Sequence, residues 1–230
     1  MTQHNGFTRV RRSNTQAGDD LILAQFEDAN PASPAGYRSL VENQNASVRN
    51  RVSIEVIGEM AGPGTSVERV LRSTVDVDAA NLSQIARAGG TITLLGGDHV
   101  IMGGGGALRT SADNVLYLGL DFDNRTAALH IVHDFGRTWR YAQRNDSLDL
   151  LGENLAFNPE TGLFGGEITG EAIHSLGNVG TFTVTMEGTV LGAVGGSSAD
   201  DLVAGGIFQA EGTMPYIGTL TADGVFWASN

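Results

Sequence analysis

The stretch Asn114-Val115-Leu116-Tyr117-Leu118-Gly119-Leu120-Asp121-Phe122-Asp123-Asn124 decides the fold. Leu116, Leu118, Leu120 and Phe122 alternate with Tyr117, Gly119, Asp121 and Asp123. A period of two places the four apolar residues on one face of a strand and their neighbours on the other. Asp123-Asn124 then supplies a turn, and Thr126 to His133 returns. The pair predicts an antiparallel hairpin with one face in a core.

The same pattern continues downstream. Phe182, Val184 and Met186 alternate with Thr181, Thr183, Thr185 and Glu187, which predicts a core face backed by a solvated threonine face. Residues 202–208, 217–221 and 225–228 read as further short strands. Turn residues recur at roughly ten-residue spacing, as in an antiparallel sandwich or an up-and-down barrel. Closure of the sheet removes the edges that so many strands otherwise leave open. Glycines inside strands, among them Gly119, Gly170, Gly188 and Gly192, suit the bends of a tight barrel.

Upstream, Val52, Ile54 and Val56 alternate, and so do residues 72–78, with Gly62-Pro63-Gly64 between them as a turn. Residues 81–88 predict a helix: Leu82, Ile85 and Ala86 recur at helical spacing, and Gly89-Gly90 stops it. Thr91–Leu95 and His99–Met102 read as a hairpin about Gly96-Gly97-Asp98. The four glycines from Gly103 to Gly106 mark a boundary. Residues 1–50 are polar, with a turn cluster from Asn30 to Gly36 and one apolar run from Leu21 to Ala24. The chain therefore divides into a loosely structured segment at 1–50, a β-rich handle region with one helix at 51–106, and a β-barrel at 107–230.

Composition narrows the function. Glycine supplies 32 of 230 residues, and cysteine is absent. Disulfides, zinc–thiolate sites, iron–sulfur clusters and cysteine nucleophiles are excluded. No apolar run is long enough for a transmembrane helix. The formal net charge of −12 argues against nucleic acid as a partner. All 14 basic residues are arginine, and all precede residue 145; the 11 acidic residues beyond have no basic counterpart. No apolar h-region follows Met1, so no signal peptide is visible, as in a cytosolic protein or a trimmed secreted one.

The barrel half carries a resemblance. After the opening hairpin come Leu155-Ala156-Phe157-Asn158-Pro159-Glu160-Thr161-Gly162-Leu163-Phe164-Gly165-Gly166, then Gly188 to Gly195 (GTVLGAVG), Ala204-Gly205-Gly206-Ile207-Phe208, and a closing Asp223-Gly224-Val225-Phe226-Trp227-Ala228. This order resembles the eight-stranded barrel of the transferrin-binding-protein-B-like bacterial surface proteins. It departs at Ala193-Val194-Gly195-Gly196, where that family often has an aromatic followed by Gly-Pro. The resemblance implies a mainly β chain: a small β-rich handle followed by an antiparallel eight-stranded barrel. It further implies a non-catalytic protein, secreted or held at the outer-membrane surface, with a lipid anchor in a removed N-terminal segment. Host proteins or haem are the ligands it points to, in iron or haem acquisition. A structural or assembly role, as in an adhesin, an envelope coat or a phage tail, is the alternative.

Candidate binding residues follow. His99 lies in a glycine-flanked segment with Met102 and Tyr117 near it, and is the candidate ligand for a haem iron, the one cofactor considered. An ordinary turn histidine is the plainer reading. Arg137, Trp139 and Arg140 form an arginine–aromatic cluster suited to stacking and bidentate contacts with a partner. His130 and His133 are three apart on a strand and so face opposite ways, which excludes a shared metal. Gly195 to Gly206 carries a single copy of a calcium nonapeptide, where stacked copies are required. No phosphate loop and no serine-nucleophile elbow is present.

Overall fold

The computed structural model describes residues 6–15, 18–28, 44–48, 52–59, 68–104, 107–111, 114–135, 146–176, 179–216 and 218–230. Five strands come first: β1 (Gly6–Thr15), β2 (Gly18–Asp28), β3 (Gln44–Val48), β4 (Val52–Glu59) and β5 (Glu68–Val77). They form an antiparallel sheet in the order β1-β2-β5-β4-β3. Helix α1 (Ala79–Ala88) follows. Among the described residues, the strands that follow are β6 (Thr91–Gly104), β7 (Ala107–Ser111), β8 (Asn114–Asp121), β9 (Thr126–Asp134), β10 (Ser147–Asn158), β11 (Leu163–Leu176), β12 (Gly180–Gly195), β13 (Val203–Met214) and β14 (Gly218–Ser229), with a short 3-10 turn at Ala199–Asp201.

Eight strands close into one antiparallel barrel. Neighbours follow the order β14-β13-β12-β11-β10-β9-β8-β6, and β14 pairs back onto β6 from Thr221↔Gly103 to Ser229↔Leu95. The barrel's first stave is therefore β6, which begins at Thr91, ahead of residue 107. β7 pairs with the far half of β6 while β8 pairs with the near half, so both lie on the same side of it.

The hairpin expected about Gly96-Gly97-Asp98 does not form. β6 runs unbroken through it. The two glycines admit Trp227 from β14 instead of reversing the chain. A Cβ on Gly96 would overlap the Trp227 carbonyl, and one on Gly97 would lie 2.9 Å from the indole ring. Close approach and turning both call for glycine, and sequence alone does not separate them.

The inward positions of the barrel are filled. Leu94, Val100, Met102, Leu116, Leu118, Leu120, Leu129, Ile131, Leu148 and Leu150 are all buried. Three glycines face three phenylalanines directly across the ladder: Gly192 opposite Phe164, Gly206 opposite Phe226, and Gly224 opposite Phe208. A Cβ on any of the three would run into the ring. Bulky and empty positions alternate so that a narrow barrel packs solid, which accounts for much of the glycine on β12–β14.

Helix α1 closes one end. Asp78 caps it, its Oδ1 accepting the Asn81 N–H at 3.1 Å. Gly89, at φ +71°, ends it in a conformation that side chains disfavour. Leu82 is fully buried, and a Cβ on Gly162, in the β10–β11 turn, would stand 3.0 Å from it. The Gly90 N–H donates to Asp123 Oδ2 at 3.0 Å and ties the helix exit to the β8–β9 turn.

The five-stranded sheet rests on one side of the barrel. Val52, Ser73, Val75 and Val77 are buried in the interface, against Val203, Gly205 and Ile207 of β13 and the end of β12. Glycine again sets the spacing. A Cβ on Gly205 would meet Ser73 Oγ and sit 2.8 Å from Val52.

Candidate functional site

Alternation along each strand decides what the barrel presents inside and outside. On β9 the inward set is Ala127, Leu129, Ile131 and His133, and the outward set includes Ala128, His130, Val132 and Asp134. His130 and His133 thus face opposite ways, as their spacing requires.

Inside, toward the end away from α1, the core turns polar. His133 Nδ1 lies 3.1 Å from Asp98 Oδ1, and both side chains are wholly buried. The His133 ring packs on Phe135 at 4.1 Å between centroids. A second pair follows on the next strands, with His174 Nδ1 at 3.6 Å from Asp146 Oδ2. Asp146 Oδ1 also accepts the Ser175 N–H at 2.7 Å, and its carbonyl accepts the Phe135 N–H at 3.0 Å. These contacts fasten the two stems of the segment joining β9 to β10. An imidazole beside a carboxylate is a proton-transfer pair in a cleft. Here both pairs are sealed from solvent and serve the core. No group of three or more His, Cys, Asp or Glu among the described residues is arranged to hold a metal ion. Asp146 carries no sequence signal of its own, and Asp98 reads from sequence as part of a turn; the signal available was His133 completing the inward set of β9.

Outside, three consecutive strands and the start of β6 form a different surface. Register places Leu95, Tyr117, His130 and Leu151 side by side on β6, β8, β9 and β10. Val115 and Val132 form the adjacent row. These apolar residues are open to solvent, from Leu95 at 57% exposure to Val132 at 38%. Tyr117 stacks on His130 at 6.4 Å, and His130 Nε2 is held at 2.9 Å by Asp149 Oδ1. The aromatic pair is therefore fixed in place.

At the α1 end of this wall, Asp121 closes the β8–β9 turn. Its Oδ1 accepts the Asn124 N–H at 2.8 Å and its Oδ2 accepts the Asn124 side-chain amide at 2.8 Å. These bonds, the backbone one foremost, hold its carboxyl below the ordinary carboxylate range.

Of the residues singled out from sequence, Met102 and Tyr117 do not converge. Met102 is fully buried in the core, whereas Tyr117 stands 46% exposed on the outer wall. His99 occupies β6 at the position opposite Val225. Arg137, Trp139 and Arg140 lie outside the described residues. No helix among the described residues is long and apolar enough to cross a membrane.

No family model matches the chain, and no curated protein matches it in sequence. Solved structures do. One is a mutant of the vaccine antigen transferrin-binding protein B from Haemophilus parasuis Hp5, at 12% identity and a TM-score of 0.38, over 91% of this chain and 35% of that one. Another is the isotype 1 transferrin-binding protein B from serogroup B Neisseria meningitidis, at 12% identity and a TM-score of 0.45, over 100% of this chain and 36% of that one. The chain spans about a third of the length of these proteins.

Proposed function

We propose that this chain is a non-catalytic binding protein, secreted or displayed at a bacterial cell surface, that captures a host protein on the outside of its barrel. One observation carries the reading. The barrel interior is packed with side chains, while an ordered apolar strip stays open on the outer wall. A barrel without a lumen is a scaffold, and its recognition surfaces lie outside. Two His–Asp pairs are buried away from solvent, and the exposed His130–Asp149 pair is engaged in holding the Tyr117 stack on the outer wall. The sequence resemblance of the barrel half supports surface display.

Host protein is favoured over haem as the ligand. Met102 and Tyr117 stand on opposite faces of the barrel wall and do not converge on one iron. The test is an immobilised chain challenged with serum, alongside a haemin titration read by absorbance. Saturable retention of a defined serum protein, with no Soret shift near one equivalent, is expected. A saturable Soret shift lost in His99→Ala, with no protein retained, would overturn this reading in favour of haem. Concentration-dependent assembly with neither ligand would turn it toward a structural role.

A further inference from the structure

The outer wall specifies the chemistry of its occupant. We infer that the strip formed by Leu95, Val115, Tyr117, Val132 and Leu151 docks a cationic protein surface, an apolar segment flanked by arginine or lysine. The inference rests on reading the chain as a binding protein and deepens it by naming where and what it binds.

Geometry comes first. Four neighbouring strands at about 4.8 Å spacing make the main row about 14 Å wide, and the second row lies about 7 Å along the strands. That patch suits a strand or short helix with a few apolar anchors. Isolated exposed apolar residues are ordinary, whereas a registered set on adjacent strands is not. Elsewhere the outer wall follows the ordinary rule: β12 exposes Thr181, Thr183, Thr185, Glu187 and Thr189. Beside α1, β13 turns Val203 and Ile207 outward but buries them under the second sheet. Other exposed apolar residues, such as Ile173, Val179 and Tyr216, lie apart from one another, whereas the strip on β6, β8, β9 and β10 sets five in two registered rows. Its aromatic member is already fixed by His130 and Asp149, so little side-chain freedom is lost on docking.

Charge selects the partner. Asp149, Glu153 and Glu171 are exposed around the strip. No arginine or lysine occurs in β6, β8, β9, β10 or β11. A second copy docked face to face would set these carboxylates against their own kind, which costs affinity. A partner carrying arginine or lysine around an apolar centre matches the strip and its rim together.

The probe is a short peptide alternating leucine and arginine, titrated against the full chain, with leucine–glutamate and serine–arginine counterparts as controls. Saturable binding is expected for the leucine–arginine peptide, weaker by about tenfold or more for either control, and falling as salt rises. Leu95→Thr with Leu151→Thr should weaken binding by about tenfold, and Glu153→Gln with Glu171→Gln by severalfold with a shallower salt dependence. Both pairs are on the surface, and an unchanged thermal midpoint certifies their fold. Amide-exchange protection should fall on β8–β10. No binding, binding indifferent to the leucine pair, or protection confined to the five-stranded sheet would overturn the inference. So would self-association of the chain that the leucine pair abolishes. If the peptide fails while a serum protein is still retained, the docking inference falls and the binding reading stands. If both fail, both fall.

Discussion

Two walls of the same barrel solve opposite problems. The wall of β12–β14 lies partly under the second sheet, and glycine sits where the two surfaces meet: Gly195 against Asp76, Gly205 against Ser73 and Val52. Its inner face is also glycine-bearing, with the three Gly–Phe pairs. The wall of β6 and β8–β10 has no such cover among the described residues. It exposes leucine, valine and tyrosine outside and carries leucines and the Asp98–His133 pair inside. Apolar character alone thus says little about what a strand touches. Gly195 and Gly205 are more telling, because each marks a neighbour of the second sheet at close range.

The largest expected effect tests that contrast. Gly205→Leu forces a side chain into the Ser73–Val52–Val75 contact and is expected to cost about 3 kcal/mol of unfolding free energy by overpacking. Leu151→Thr, on the open wall, is expected to change it by less than about 0.5 kcal/mol. Urea midpoints of the two variants decide the matter. Equal midpoints would mean that the second sheet does not sit on β13, and the comparison of walls would collapse.

The next effect lies behind the open wall. His133→Leu removes the imidazole that Asp98 Oδ1 faces at 3.1 Å in a site with no exposure. Removing one hydrogen-bonding group from beside a buried carboxylate is expected to cost about 2 kcal/mol. Combining it with Asp98→Leu replaces both polar groups by apolar ones, and the double variant should lose less than the two single losses together. Strict additivity, measured by the same urea midpoints, would show that the pair is not coupled and that the inner face of this wall needs no polar contact.

Strand alternation was legible on both walls, whereas contacts from one strand to another were not. Alternation from Leu116 to Phe122 predicts β8 and its return strand because one face meets the core and the other meets water. Residues 81–88 read correctly as helix because capping and the Gly89 stop act locally. Gly96-Gly97-Asp98 misled because glycine there answers to Trp227, a residue more than a hundred positions away. The apolar strip was hidden for a related reason. Leu95, Tyr117 and Leu151 are unremarkable one by one, and only the register across four strands places them in a row. His133 was visible in the alternation of β9, but its partner Asp98 was assigned to a turn that does not exist.

The smallest effect belongs to the rim of the open wall. Asp121 owes its lowered carboxyl pKa to the Asn124 N–H and side-chain amide, both of which favour the ionised form. A depressed folded-state pKa contributes stability that is complete above the unfolded value and disappears as pH falls through the folded one. Asp121→Ala should therefore lower the urea midpoint slightly at neutral pH. The gap between variant and parent should narrow below the ordinary carboxylate range and close in stronger acid. The carboxylate lies at the solvent boundary, so the effect is small and needs replicate titrations to resolve. A gap that stays constant into acid would assign the contribution to the shape of the turn rather than to its charge. The β8–β9 turn would then be held as the covered wall is, by packing.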